Sequence, residues 1–544
     1  MKNCKLEVIG PDGGPPQELY ASGVDDVSLA ETLARAGVAL NTRCGRNGLC
    51  AGCSVKLLKG SFLTSDGDII EAPATIKTCQ GTLANKGDAT VSIPRRSLAD
   101  TQAQGVSSFT VRVPYKLRPL CAPQSGVKDY GLAIDVGTTT VVVVLVDLFN
   151  GNIMGEEAVL NRQIALGDDV VTRIQLAADP TCREALRNAI VRSTLVPAIR
   201  ALCLRADISE DRLGAATVAG NTTMLHLLVG ADPSPMGVAP FRPQFTGHRT
   251  VAAGELGLDG LPPLLPVHLL PGFSAFVGAD LAAGCACTGL MEEGGTCLLV
   301  DIGTNGEILL QHQGRLVGTA TAAGPAFEGG RLTSGTRAVS GAIEHLVLSS
   351  KQTPPVLEMI PGGWTPVGIC GSAYLDFLAQ GRSAGLLDEV GRFSPESWAT
   401  MPAEFRWEED GQRGVYLRAA DASTLVTEAD VAQLQQAKAA IAAGILTLLH
   451  RSSLIPPDIH RLFLAGGFGL HLDPVSAIRS GLLPGFTKEQ IEVVGNTSLG
   501  GAWLGLVDET KLTGMREIVR GAEILELNTD PSFEDTFIDQ MALP

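Results

Sequence analysis

Two stretches decide how this chain folds: Leu132-Ala-Ile-Asp135-Val-Gly137-Thr138-Thr139-Thr140 and Leu298-Leu-Val-Asp301-Ile-Gly303-Thr304-Asn305-Gly306-Glu307. In each, an apolar strand delivers an aspartate at its end. A glycine then permits a turn tight enough for a phosphate to lie against backbone amides. The hydroxyls of Thr138, Thr139 and Thr304 are placed to donate to phosphate oxygens, with Thr140 and Asn305 completing the turns. Asp135 and Asp301 suit Mg²⁺ held through water, because Mg²⁺ favours carboxylates and keeps its waters. One such turn competes with a chance hairpin; two copies in one chain are far more specific. A third stretch, Leu462-Phe-Leu-Ala465-Gly466-Gly467-Phe468-Gly469, runs an apolar strand into a glycine pair that can approach a flat nucleoside. Ahead of it, Val431, Leu434, Ile441, Ile445 and Leu448 recur at helical spacing and predict a helix from Glu428 to His450. Lys438 on that helix either reaches the nucleoside or snorkels at the surface.

Upstream lie Cys44, Cys50, Cys53 and Cys79, spaced C-x5-C-x2-C-x25-C. Gly45, Gly48 and Gly52 let the backbone wrap closely and aim amides at sulfur, which stabilises an iron–sulfur cluster. The spacing is similar to that of plant-type [2Fe–2S] ferredoxins, with one extra residue in the first gap as in the adrenodoxin-like branch. A structural zinc is the other reading, although zinc ribbons usually present two C-x2-C pairs. Strands at Lys5–Ile9, Ser54–Leu58 and Ala89–Ile93 surround a short helix at Ser28–Ala36, where Ser28 and Glu31 have capping-box spacing. That pattern fits the β-grasp fold of such ferredoxins. Arg43 and Arg46 flank the cysteine loop.

Residues 97–128, rich in Gln, Ser, Pro and Gly, read as a linker with one short strand at Phe109–Val113. The resulting organisation is an α+β ferredoxin-like domain over 1–96, the linker, and an α/β pair of lobes over 129–296 and 297–544. The 544 residues are 45% hydrophobic, enough for a large core, and carry a net charge of −16, which argues against binding nucleic acid through its phosphates. The purest apolar run, Val141–Val146, is too short to span a membrane, and no signal peptide is evident, so a cytoplasmic protein is expected. In that compartment, 12 cysteines point to metal or cluster ligation rather than disulfides. Cys285, Cys287 and Cys370 read as core.

The paired turns resemble phosphate 1 and phosphate 2 of the actin, sugar kinase and heat-shock ATPase superfamily, which implies two ribonuclease H-like lobes binding ATP and Mg²⁺. The whole chain resembles the reductive activators of corrinoid-dependent enzymes. The likeness rests on the cysteine cluster, both turns, Val218-Ala-Gly-Asn221-Thr-Thr-Met224, Gly324-Pro-Ala-Phe-Glu328-Gly-Gly330 and Gly368-Ile-Cys-Gly-Ser372. It rests also on Thr427-Glu-Ala-Asp430, Leu434-Gln-Gln-Ala-Lys438, Leu464-Ala-Gly-Gly-Phe468 and Val494-Gly-Asn496. It implies an ATP-dependent reductase that docks on a corrinoid protein of a methyltransferase system. One electron would pass from the [2Fe–2S] cluster to Co(II), giving Co(I), with electrons supplied by an external low-potential donor. Glu307 or Glu328 would orient the attacking water.

Two other readings share these parts: an activator of a different low-potential metalloenzyme, and a nucleotide-gated redox interaction protein without turnover. No P-loop, no dinucleotide-binding G-x-G-x-x-G and no corrinoid-binding D-x-H-x-x-G is present, so cobalt must sit on a partner. The longest family members carry an extra middle domain; here the linker reaches Tyr130 almost at once, leaving no room for one. Oligomeric state is therefore open, a homodimer being one option.

Overall fold

The computed structural model describes residues 4–10, 16–21, 27–36, 38, 40, 53–84, 88–94, 97, 107–167, 169–303, 305–348, 354–362, 365–409 and 411–544. Cys44, Cys50, Arg43, Arg46 and Thr304 lie outside these. The chain forms two compact units, one of 1–101, 329–373 and 395–431, the other of 102–328, 374–394 and 432–544.

In the first unit a five-stranded sheet runs in the order Gln17–Ala21, Cys4–Ile9, Ala89–Ser92, Ser54–Lys59, Ala74–Lys77. The pair Cys4–Ile9 and Ala89–Ser92 is parallel and the other neighbours are antiparallel. Helix Leu29–Arg35 opens as expected, with the Ser28 side chain accepting from the Glu31 amide. Leu29 and Leu33 on it join Leu6, Val55, Leu57, Ile76 and Val91 in one buried core. The unit also holds three three-stranded sheets, at 61–83, 342–369 and 406–427.

The second unit holds two six-stranded sheets that share a five-stranded plan, the sixth strand lying on opposite edges. In the first, Tyr130–Val136 pairs antiparallel with Thr140–Asp147, which pairs antiparallel with Ile153–Leu160. On its other side Tyr130–Val136 runs parallel to Leu213–Gly220, and that to Pro266–Leu269. In the second, Cys297–Ile302, Gly306–His312 and Arg315–Thr321 repeat the antiparallel half, while Arg461–Ala465 and Ile491–Gly495 repeat the parallel half. This is the arrangement expected of ribonuclease H-like lobes. The run Val141–Val146 is fully buried because its strand, second from the edge, is paired on both sides and lies in one core with Ile199, Leu202 and Leu506. Among the described residues, no helix is long and apolar enough to cross a membrane. The predicted long helix spans Glu428–Arg451.

Each sheet also supports a helix from the other half of the chain. Helix Thr497–Val507, which follows the last parallel strand of the second sheet, packs on the first sheet and against helix Ala279–Thr288. The two helices touch where Gly501 faces Ala283: a Cβ on Gly501 would lie 2.3 Å from the Ala283 carbonyl oxygen. Glycine is required there by backbone contact, not by conformation.

The predicted strand at Phe109–Val113 does not form. Residues 107–128 instead lie as a strap on the second unit, donating single hydrogen bonds to the ends of its elements. Thr110 donates to Val494, Arg112 to Cys287, Arg118 to Val507 and Leu120 to Leu506. Phe109 and Tyr115 clasp Trp503, at ring separations of 6.0 and 5.0 Å. Partners on separate elements give no ladder for a strand to join.

Candidate functional site

The first phosphate turn is held by its surroundings. Asn161 donates to the Gly137 carbonyl at 2.9 Å, and Asn221 donates to the Thr138 hydroxyl at 3.0 Å. The fully buried Arg173 guanidinium donates to the Thr138 carbonyl at 2.7 Å and to Gly167 at 2.8 Å. The Thr139 carbonyl accepts from the Asn161 amide. Gly137 and Thr140 close the hairpin through the Gly137 amide, and a Cβ on Gly137 would meet the Thr140 carbonyl at 2.5 Å. Both ends of this turn are thus fixed, leaving Thr138 buried with its hydroxyl already oriented.

The second turn repeats the logic with different partners. The Gly303 amide donates to the Asn305 carbonyl at 3.0 Å. Asp301 and Glu307 face one another across the antiparallel pair. Directly opposed like charges repel, and the Asn305 side chain relieves this in part by hydrogen bonding to Glu307. Gly466, at φ +93°, sits against the same carboxylate: a Cβ there would lie 2.6 Å from Asp301 Oδ1 and from the Ile302 carbonyl. Gly467 follows, and Phe468 stacks on Phe327 at 5.0 Å and 20°. The Gly466–Gly467 pair and the turn that follows Asp301 are therefore in van der Waals contact.

Electrostatics gather four carboxylates. Desolvation raises Asp301 to about 8, with Asp280 and Asp135 adding to the shift. Desolvation and then the Asp135 charge raise Asp280 to about 7. Glu307 is pushed well above the carboxylate range by burial and then by Asp280 and Asp301. Asp135 is raised by desolvation alone, against hydrogen bonds from Ser498 at 2.7 Å and Asn496 at 2.9 Å. Four acids so placed cannot all ionise in the absence of a cation, and a divalent cation would restore their charge. Carboxylate oxygens suit Mg²⁺ held through water, and no three of these acids gather closely enough to ligate an ion directly.

Asp280 was not visible in the sequence reading. It sits in the first turn of helix Ala279–Thr288, after a loop whose Gly278 backs onto Asn221 and Thr222. The signal was Gly278-Ala-Asp280 ahead of a small-residue helix, which composition presents as ordinary core. Asn161, Arg173 and Ser498 were also missed. Glu328 is half-buried at the end of the turn Pro325–Glu328, beside Phe327.

Lys438 is not a surface lysine. It is 1% exposed, its ammonium donates to the Ala542 carbonyl at 2.5 Å, and burial lowers its pKa to about 8. Gln435 likewise donates to Met541 and Arg382 to Leu543, so three side chains hold three consecutive carbonyls. One helical turn on, Ile441 abuts Gly306 of the second phosphate turn.

In the first unit, pairing of Ser54 with Lys77 sets the residues just beyond, Cys53 and Thr78, side by side. Thr78 accordingly donates through its hydroxyl to the Cys53 carbonyl at 2.9 Å. The Cys53 and Cys79 sulfurs then lie 3.2 Å apart, buried against Ala30, with Gln80 Nε2 directed at Cys79 Sγ at 3.6 Å. Two sulfurs brought together with an N–H donor aimed at one of them fit a shared metal cluster. Among the described residues, no three of His, Cys, Asp or Glu gather as direct ligands of a bare ion. Cys285 and Cys287 are fully buried and Cys370 nearly so, as expected of core residues.

A family model described as the C-terminal domain of RACo, the ASKHA domain, matches residues 295–544, and one described as the RACo middle region matches 130–293. The second match corrects the expectation that a middle region is missing: it is the first six-stranded sheet with its helices. The chain is 32% identical over 421 residues to corrinoid activation enzyme RamQ of Eubacterium limosum, covering 75% of this chain and 69% of that protein. It is 25% identical over 446 residues to the [Co(II) methylated amine-specific corrinoid protein] reductase of Methanosarcina barkeri, covering 76% and 77%. A solved structure, the reductive activator for corrinoid, iron–sulfur protein, superposes with a TM-score of 0.73 at 30% identity over 99% of this chain and 98% of that one. With an actin-like ATPase fold and this degree of likeness along its length, the chain belongs to the reductive activators of corrinoid-dependent enzymes.

Proposed function

We propose that the chain is an ATP-dependent reductase of a corrinoid protein, passing one electron from a [2Fe–2S] cluster to the partner's Co(II) and so regenerating Co(I). The observation that carries the reading is the meeting of Asp135, Asp280, Asp301 and Glu307 from two phosphate turns and a helix start, in a chain that also pairs Cys53 with Cys79. The relatives' names support a corrinoid protein as partner.

Residues 1–96 read as a β-grasp ferredoxin-like domain, supported by the mixed five-stranded sheet packed on one helix. Cys44, Cys50, Cys53 and Cys79 would hold the cluster, which supplies one-electron chemistry at low potential when bound. Gln80 donates to Cys79, and helix Leu29–Arg35 shields the pair from water. Gly137, Thr138, Thr139 and Thr140 on one side, and Gly303, Thr304 and Asn305 on the other, take up the phosphates. Asp135 and Asp301 would hold Mg²⁺ through water, neutralising charge on the phosphates. Gly466, Gly467 and Phe468 take the nucleoside, with Lys438 fixing the helix behind the second turn.

The attacking water needs a proton acceptor. Glu307 and Glu328 are candidates, and Asp280 joins them because it lies amid both turns. Hydrolysis then changes which contacts the turns make, and this coupling drives an uphill electron transfer. Electrons enter from an external low-potential donor, and the work is done in the cytoplasm.

The test is anaerobic: cluster-loaded protein, a corrinoid protein encoded nearby and a reductant, followed by the Co(II) absorbance with and without MgATP. Co(I) formed only with MgATP is expected. No ATP-dependent change with any corrinoid protein of the host, despite a reducible cluster, would remove the reading.

A further inference from the structure

Among the described residues, 494–496 are where the strap, the nucleoside turn and the first phosphate turn are all bonded to the same three residues. The Gly466 amide donates to the Gly495 carbonyl at 3.1 Å. The Asn496 side chain donates to Asp135 Oδ2 at 2.9 Å while its own oxygen caps helix Thr497–Val507 through the Leu499 amide. From the strap, the Ser108 carbonyl accepts from the Asn496 amide at 2.8 Å, and Thr110 donates to Val494 at 3.3 Å. The packing leaves no slack: Gly495 has φ +75°, and a Cβ on it would stand 2.3 Å from the Ser108 carbonyl oxygen. A carboxylate drawn toward a cation must pull on, or let go of, the amide that holds it. That amide belongs to the residue whose backbone anchors the strap.

We propose that Asn496 is a positioning residue that transmits the nucleotide state of the first phosphate turn to the anchor of the strap at Ser108–Thr110, the segment through which the chain continues back to the cysteine-bearing N-terminal unit. The proposal rests on the ATP-dependent reading above and adds its coupling element. Asn496 touches no reacting atom; it acts through Asp135 on one side and Ser108 on the other. The sequence pattern Val494-Gly-Asn496 then has a reason at each position: a backbone partner for Thr110, a glycine that admits Ser108, and an amide side chain for Asp135.

The experiment is hydrogen–deuterium exchange on the full, cluster-loaded chain, without nucleotide and with a non-hydrolysable MgATP analogue. Peptides over 135–142 report nucleotide binding, and peptides over 107–113 report the strap. In the native chain both are expected to change exchange rate, the strap by at least about threefold, a scale on which local opening energies shift with a single hydrogen bond. Asn496→Ser keeps a helix cap but cannot reach Asp135 with an amide; the 135–142 response is expected to persist while the 107–113 response disappears. Phe109→Ala loosens the strap outside the nucleotide site, so analogue affinity should stay within about twofold while ATP-dependent Co(II) reduction falls at least about tenfold, since truncating a packed Phe removes more than one tenfold equivalent of contact. A native response at 135–142 with none at 107–113 overturns the coupling alone. No response in either peptide overturns the ATP reading and the coupling with it.

Discussion

Gly466→Ala tests the contact between the nucleoside turn and the second phosphate turn. The backbone there is at φ +93°, and the added methyl would lie 2.6 Å from Asp301 Oδ1 and 2.6 Å from the Ile302 carbonyl. Two costs are expected. A left-handed conformation with a Cβ costs roughly 1–2 kcal/mol. Overpacking against backbone that cannot move aside costs roughly another 1–3 kcal/mol. Gly314 separates the two: it has φ +77°, it sits in the hairpin between strands of the same sheet, and its Cβ would meet nothing within 4 Å. Gly314→Ala should therefore show the conformational cost alone, as a small fall in melting temperature, with MgATP affinity unchanged. Gly466→Ala should show both, and the second is directed at Asp301. Relieving the clash means displacing the carboxylate or the Ile302–Gly303 peptide, so affinity for MgATP should fall about 5- to 150-fold, the equivalent of 1–3 kcal/mol. Calorimetric titration of both variants with MgATP, alongside thermal unfolding, makes the comparison. If Gly466→Ala bound MgATP as tightly as Gly314→Ala, the second turn and the nucleoside element would not form one site, and the assignment of Asp301 would fall with it.

Other outcomes follow from single residues. Asp280→Asn removes a charge from a crowded group of acids, so MgATP should bind at least as well, while hydrolysis with the corrinoid partner should fall about 10²- to 10⁴-fold if Asp280 accepts the water's proton; an unchanged rate would return that role to Glu307 or Glu328. Cys53→Ser should lower iron content and visible absorbance and abolish Co(II) reduction, with MgATP affinity unaltered; full cluster absorbance in the variant would place the ligands elsewhere. The Lys438 pKa is lowered to about 8 from 10.5, so the stability tied to this group is present above pH 10.5 and is lost as pH falls through about 8. Lys438→Met should therefore be the more stable chain at pH 7, by at most roughly 3 kcal/mol, and the difference should shrink as pH rises to 10. Unfolding midpoints of both chains across that range decide it, and a variant less stable at pH 7 would mean that the bond to Ala542 outweighs burial of the charge.

Much of this architecture was legible because its determinants are local. Leu132–Thr140 and Leu298–Glu307 each contain strand, turn and acid within ten residues, and Ser28 with Glu31 marks a helix start without help from elsewhere. The strap was misread for the opposite reason. Phe109–Val113 has strand-like side chains, but its backbone partners are Val494 and Cys287, far along the chain and on different elements. Lys438 carries no sequence mark of burial, since its neighbours on the helix are alanines and glutamines; only the return of Ala542 over the helix makes it interior.

Helix Thr497–Val507 shows why Asp280 and Ser498 stayed hidden while Asp135 and Asp301 did not. Each sheet supplies its own aspartate from its first strand, and a repeated motif announces both. The groups that tune those aspartates arrive crosswise: Asn496 and Ser498 follow the second sheet yet bond Asp135 of the first. Asp280 follows the first sheet, and its charge raises Asp301 of the second. An exchange of this kind leaves no periodicity, since it depends on Gly501 and Ala283 letting two helices touch. It also ties the protonation and cation occupancy of either turn to the packing of the other half. The ATP-driven reduction proposed above would need such a tie. The helix that carries it begins at Asn496, the residue that also holds the strap.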